Sequence, residues 1–144
     1  MATLQIIKYP DEFLLKISKP VTEFGERLHT FLDDMRETMH KARGMGLAGV
    51  QVGKLWRVCI VATKDGVIEL VNPEIIYKHR QKKGEEGCLS APNEYADIKR
   101  YHIITVTAKD RHGNESVRDF SGMEAVCIQH EIDHMNGILI KRAV

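Results

Sequence analysis

Between positions 22 and 43 the apolar residues Leu28, Phe31, Leu32, Met35, Met39 and Ala42 return every three or four places, which is one stripe of an amphipathic helix. Gly44 fits its carboxy-terminal stop. The next ten residues, GMGLAGVQVG (44–53), hold four glycines, so the backbone there can bend sharply or lie close to a ligand. The period then changes. LWRVCIVAT (55–63) reads as a buried strand, and DGVIELVNPEIIY (65–77) as a turn and a strand interrupted at Pro73. IITVTAKD (103–110) alternates, RHGN (111–114) is a turn, and ESVRDF (115–120) is the returning strand of a hairpin.

Ser121 and Glu124 have capping-box spacing and open a second helix, predicted to run to about Asn136 and stop at Gly137. Ala125, Val126, Cys127, Ile128, Ile132 and Met135 leave it apolar nearly all round, which places it in the middle of a fold. Strands, one helix, more strands and a second helix make an α+β class. The expected architecture is antiparallel β-sheets packed around a central helix, with one further amphipathic helix near the amino terminus.

At 144 residues the chain fits one domain with one core. It is 43% hydrophobic and 28% charged with a formal charge of +1, so total charge gives no reason to invoke nucleic acid or membrane. The local basic run KHRQKK (78–83) reads as solvated loop or strand-end charge. The start, MATLQIIKYPDEF, lacks a basic segment followed by an apolar one, and no apolar run reaches membrane-spanning length, so a cytoplasmic location is expected. Three cysteines, Cys59, Cys88 and Cys127, do not suggest a disulfide framework, and reduced thiols are expected.

The chemistry concentrates in QHEIDHMNG (129–137). Burying His130, Glu131, Asp133 and His134 on an apolar helix without partners would cost several kcal/mol. Residues four apart share a helix face, so the imidazoles of His130 and His134 can converge on one ion, with Glu131 one step round and able to reach a bound water. A pair of hydrogen-bonded core histidines is the plainer alternative. A catalytic metal needs a third protein ligand. A further histidine in metzincin register is excluded because that position is Ile140, and no acidic residue follows Asp133. Upstream, His29, His40, His79, His102 and His112 look like ordinary surface residues, and Cys59 and Cys127 like small core residues. Cys88, in GEEGCLSAP (84–92), sits on a backbone that glycine and a Ser-Ala-Pro turn can bend; the residues alone leave its role open.

GMGLAGVQ (44–51), EGCLS (86–90) and QHEIDH (129–134), in this order and at these separations, resemble the three signature motifs of peptide deformylases. IIKYPDEFLLKISKPV (6–21) and VNPEI (71–75) extend the likeness over nearly the whole chain. The resemblance implies one catalytic domain over 1–144 that removes the formyl group from the initiator methionine of nascent chains. It implies one divalent metal held by Cys88, His130 and His134, with Fe²⁺ commonly native and Zn²⁺, Ni²⁺ or Co²⁺ able to replace it. It also implies Glu131 as proton shuttle, with the Gln51 side chain and the Leu89 backbone N–H as oxyanion donors. The methionine slot falls to Met45, Glu86, Val126, Cys127 and His130, and Gly44 and Gly46 let the backbone lie against the peptide.

The partners expected on this footing are formylmethionyl peptides, with no direct nucleic-acid site and no membrane. The chain departs from the family at Gly49, commonly alanine, and at Tyr95, often arginine. It also stops ten residues after His134, where many bacterial members continue into a helix associated with ribosome docking. Ribosome contact is therefore left open, and the short end would suit an organellar or viral version, acting in a host cytoplasm if viral. HExxH chemistry equally serves a metallopeptidase, and a silent metal-binding relative would keep the fold. Retention of Gln51 and Glu131 speaks against silence.

Overall fold

A computed structural model describes residues 2–140 of the chain. The stripe of the first helix forms α1 (Glu26–Lys41), which buries Leu28, Phe31, Leu32, Met35 and Met39. Glu26 in its first turn and His40 and Lys41 in its last complement the helix dipole. The stop differs from expectation. Arg43, not Gly44, takes the left-handed conformation, with φ 56°. Gly44 is needed for space instead, because a Cβ there would lie 2.5 Å from Leu89 Cδ1.

Five antiparallel strands follow in the order β1-β2-β3-β4-β5, and among the described residues they form one sheet rather than several. They are β1 (Gly46–Ala48), β2 (Val58–Thr63), β3 (Gly66–Cys88), β4 (Ala91–Lys109) and β5 (Glu115–Ser121). Among the described residues all five come after α1, so no strand opens the fold. The glycine-rich segment supplies β1 and a short 3-10 turn, Gly49–Val52. The last helix is α2 (Gly122–Met135), with Asn136 as its cap and Gly137 left-handed at φ 74°, as its sequence predicts.

The uninterrupted apolar run of β2 has a simple cause: both of its faces are buried. Val58 and Ile60 join Leu28, Phe31, Leu32 and Met35 of α1 in one cluster. Cys59 and Val61 join Ile104, Val106 and Phe120 with Ala125, Ile128 and Met135 of α2 in the other. α2 is also fastened to the sheet by a side-chain amide. Gln129 accepts from the Tyr101 N–H at 2.9 Å and donates to the Tyr101 carbonyl, standing in for a neighbouring strand.

Three expectations change. Pro73 does not end its strand: β2 stops pairing at Val71, the register shifts between Val71 and Glu74, and β3 runs on to Cys88 where no third strand needs the missing N–H. β4 starts at Ala91, twelve residues before the alternation at 103. The capping box does not form: Ser121 makes no side-chain cap, and Glu124 accepts from the Lys64 N–H at 2.9 Å. Among the described residues no helix is long and apolar enough to cross a membrane. The carboxy-terminal residues 141–144 lie outside those described.

α1 is tied to the sheet by charge as well as by its stripe. Arg111 reaches Asp33 at 2.7 Å and Glu69 at 2.6 Å, and Arg36 reaches Glu69 at 3.2 Å. Burial alone would raise the Glu69 carboxyl, but Arg111 and Arg36 outweigh it and hold it below its ordinary value; the Arg111 hydrogen bond does the same for Asp33. A depressed carboxylate stabilises the fold above its unfolded pKa, and that stability is lost as pH falls through the lower folded value. Glu69→Gln is therefore expected to cost about 1–2 kcal/mol at pH 7. In urea melts the gap to the parent should close as pH drops below about 4; an equal gap at both pH values would contradict the assignment.

Candidate metal centre

α2 sets His130 and His134 one turn apart, and the hairpin tip between β3 and β4 brings Cys88 to them. The Nε2 atoms of the two histidines are 3.2 Å apart, and Cys88 Sγ lies 3.3 Å from His134 Nε2. All three donor atoms fall within 4.8 Å of one another. Two nitrogens on a single tetrahedral ion, at bonds of about 2.0 Å, are about 3.3 Å apart. The imidazole pair thus has the spacing of two ligands of one ion.

The tautomer fits as well. His130 Nδ1 is 3.0 Å from Glu86 Oε1, so its N–H is committed to the carboxylate and its Nε2 lone pair is left for the cluster. Burial pulls the His130 imidazole down, but Cys88 and Glu86 overcome this and lift it to about 10, while burial beside His130 and Arg100 drops His134 to about 3. A proton between the two imidazole Nε2 atoms is what a cation would displace. These donors suit a divalent transition ion.

Behind His130 stands a charged chain that sequence reasoning missed. Arg100 donates to both Glu86 oxygens at 2.8 and 3.0 Å and to Asp133 Oδ2 at 2.5 Å. Its side chain and that of Glu86 are each 8% exposed. Glu86, expected only to line a slot with its stem, thus also orients a histidine. The signal lies in the strand's true extent: with β4 starting at Ala91, Ile98, Ile104, Val106 and Ala108 are its buried register, and Arg100 shares their parity.

Glu131 is 3% exposed, and its Oε1 has no hydrogen-bond partner among the described residues. Burial raises its carboxyl to about 7; His130 and Arg100 pull it down while Glu86 and Asp133 push it up. It lies against bare backbone, since a Cβ on Gly46 would come within 2.6 Å of both Glu131 Oε2 and Cys127 Sγ. Gln51, 1% exposed, accepts the Ala48 N–H at 2.9 Å, and this turns its amide NH₂ toward Ser90 Oγ at 3.1 Å and Cys88 Sγ at 3.6 Å.

A cavity of about 690 Å³ opens onto this group. Gly44, Met45, Gly46, Gln51, Glu86, Cys88, Leu89, Val126, Cys127, His130 and Glu131 all line it. His134 lies behind, in a smaller recess with Tyr9, Ser90 and Leu139. Cys127 is a wall rather than a ligand: burial pushes its thiol far up, and Glu131 and Glu86 add to this. Cys59 is fully buried in the core.

The polypeptide deformylase family model matches residues 3–144. A peptide deformylase of Helicobacter hepaticus is 43% identical over 96% of this chain and 82% of its own length. The crystal structure of a peptide deformylase from Legionella pneumophila superposes with a TM-score of 0.95 at 44% identity, covering 99% of this chain and 86% of that one. A class I type b peptide deformylase from Acinetobacter baumannii, crystallised with Met-Ala-Ser bound, gives 0.93 at 32% identity, covering 99% of each chain.

Removing the guanidinium would strand two carboxylates. Arg100→Met is expected to destabilise by about 3–5 kcal/mol, and Asp133→Asn by less, because Asp133 is 25% exposed at its side chain. Urea unfolding of the two variants checks the order; a neutral Arg100→Met would show that the chain of charges carries no stability.

Proposed function

The chain belongs to the polypeptide deformylase family, and from that premise we propose how its own residues divide the work of removing the N-formyl group from nascent polypeptides. The protein is a hydrolase of that class: water adds to the formyl carbon, the C–N bond breaks, and formate and a free methionine amine leave. The observation that carries the reading is the meeting of three metal-type donors, Cys88 and His130 on the cavity wall and His134 behind them, with a buried carboxylate whose Oε1 has no hydrogen-bond partner among the described residues.

Cys88, His130 and His134 would hold one divalent ion, which would supply Lewis acidity at the formyl group. A thiolate with two imidazoles accepts Fe²⁺, Zn²⁺, Ni²⁺ or Co²⁺; we take Fe²⁺ as native on the family resemblance. Glu131 accepts the proton of the attacking water and returns it to the departing nitrogen, a role open to a buried carboxylate beside the donors. The negative oxygen that develops on the formyl carbon is met by the Gln51 amide and the Leu89 backbone N–H. The Gln51 NH₂ is aimed beforehand by the bond from Ala48.

The substrate lies as an extended strand against Gly44, Met45 and Gly46, where the absence of side chains at 44 and 46 lets main chain meet main chain. Its methionine enters the cavity between Met45, Val126, Cys127, the stem of Glu86 and His130. Crowding by Leu89 and Cys88 admits a formyl group and rejects an acetyl group. In this reading α2 is the helix about which the fold is organised, supported by its burial on Ala125, Ile128, His134 and Met135, and 1–144 acts as one catalytic domain. The expected partner is a formylated peptide emerging from synthesis, met in the cytoplasm.

Four outcomes follow from these roles. Glu131→Ala should retain about one metal per chain yet lose turnover of formyl-Met-Ala-Ser by at least about 10²-fold; loss of metal with activity would make it a ligand. Cys88→Ala should lose the metal itself, read by elemental analysis. Gly46→Ala pushes a methyl into Glu131 and should lower kcat with metal content unchanged. The acetylated twin of the peptide should remain uncleaved by the parent enzyme.

A further inference from the structure

Positions 76–85 of β3, IYKHRQKKGE, are exposed without interruption although they lie in a paired strand. Strands of an antiparallel sheet ordinarily bury one face. β2 leaves β3 at Val71, and β5 covers β4 as far as Ile103, opposite His79, so from Arg80 onward this stretch is a two-stranded ribbon with no third strand among the described residues. Such a ribbon contributes little stability of its own.

As far as Lys83 its charge is one-sided: Lys78, Arg80, Lys82 and Lys83 lie on β3 and Lys99 on β4, in a chain whose total is 21 basic against 20 acidic residues, and the acidic pair Glu85 and Asp97 begins only beyond it. Among the described residues Arg80, Lys82, Lys83 and Lys99 form no ion pair. Lys83 and Lys99 are directly opposed in the register, with Glu85 and Asp97 as their diagonal neighbours, whereas Lys78 lies opposite Ile104 and Lys82 opposite Arg100, neither of them acidic. Isolated lysines suffice to guard a strand edge; cations at 78, 80 and 82 in succession exceed that need. Tyr77 is 53% exposed and pairs with His79 at 6.3 Å between centroids and 30° between planes, adding flat surfaces among the cations.

We propose that this ribbon binds RNA, its cations on phosphates and its Tyr77–His79 pair against unpaired bases. The overall charge of +1 hides it by averaging. The ribbon leads straight into the wall of the cavity, with Lys83 and Cys88 about 16 Å apart along the strand. RNA held there lies beside the place where a nascent chain would enter. The deformylase reading gives the binding its use; the binding itself stands or falls without it.

The test is fluorescence anisotropy with a labelled RNA hairpin carrying a single-stranded loop, on the metal-loaded protein. The parent should bind, with affinity falling linearly in log salt. The double variant Lys82→Gln/Lys83→Gln should bind at least about tenfold more weakly at low salt with a slope shallower by about 1.5, and Lys82→Glu/Lys83→Glu should not bind. Formate release from formyl-Met-Ala-Ser should be unchanged in both, and neither variant should melt lower than the parent, because the opposed charges are relieved. Absent or salt-independent binding by the parent, or variants that bind RNA like the parent, would overturn the proposal. Capture by phosphatidylserine vesicles without RNA binding would overturn it in favour of a membrane surface. Aggregation of the variants with RNA binding intact would reduce the charges to edge protection.

Discussion

A helix buried on nearly every side cannot carry His130, Glu131, Asp133 and His134 unless the rest of the protein answers each of them. The structure answers three within the fold: His130 with Glu86, Asp133 with Arg100, and His134 with Cys88 and His130. Glu131 is left with an oxygen that has no partner among the described residues, next to the metal-type donors. Two side-chain atoms of this group have no hydrogen-bond partner among the described residues, this oxygen and His134 Nδ1. His134 is still held through its other nitrogen, by Cys88 and His130, so the Glu131 oxygen is the carboxylate atom left to exchange a proton.

The sheet serves this arrangement through its register. β2 is covered by α1 on one side and α2 on the other, which makes it a rigid floor. β1 pairs with it so that Gly46 opposes Val61, and this sets bare backbone against Glu131. From the other direction, β3 and β4 close at Leu89 and Ser90 and deliver Cys88 beside the histidines. Three elements distant in sequence reach one point because each is pinned by pairing or packing a few residues away.

Much of this was legible from residue pattern. The stripe of α1 and the convergence of two histidines follow from helical period, and Gly137 marks the stop of α2; Cys88 and Gln51 came only with the family resemblance that the three spaced motifs carry. The long ribbon was not legible, because a strand exposed on both faces has no alternation to read, and Pro73 argued for a break where the structure has only a lost neighbour. Arg100 was missed for a related reason. Its parity with Ile98 and Ile104 shows only once β4 is known to begin at Ala91. The Ser121 and Glu124 capping box failed because Glu124 found the Lys64 amide of a neighbouring hairpin, a contact no local rule contains.

The two glycines flanking Met45 leave this segment with an uneven tolerance for change. At 44 any side chain collides with Leu89, and at 46 with Glu131 and Cys127, whereas Met45 itself is 52% exposed at the rim. Anyone reshaping the cavity by mutagenesis has one open position in this segment, between two where an added side chain must displace Leu89, or Glu131 and Cys127. Diversity introduced at 45 alters the rim, where no such displacement is required.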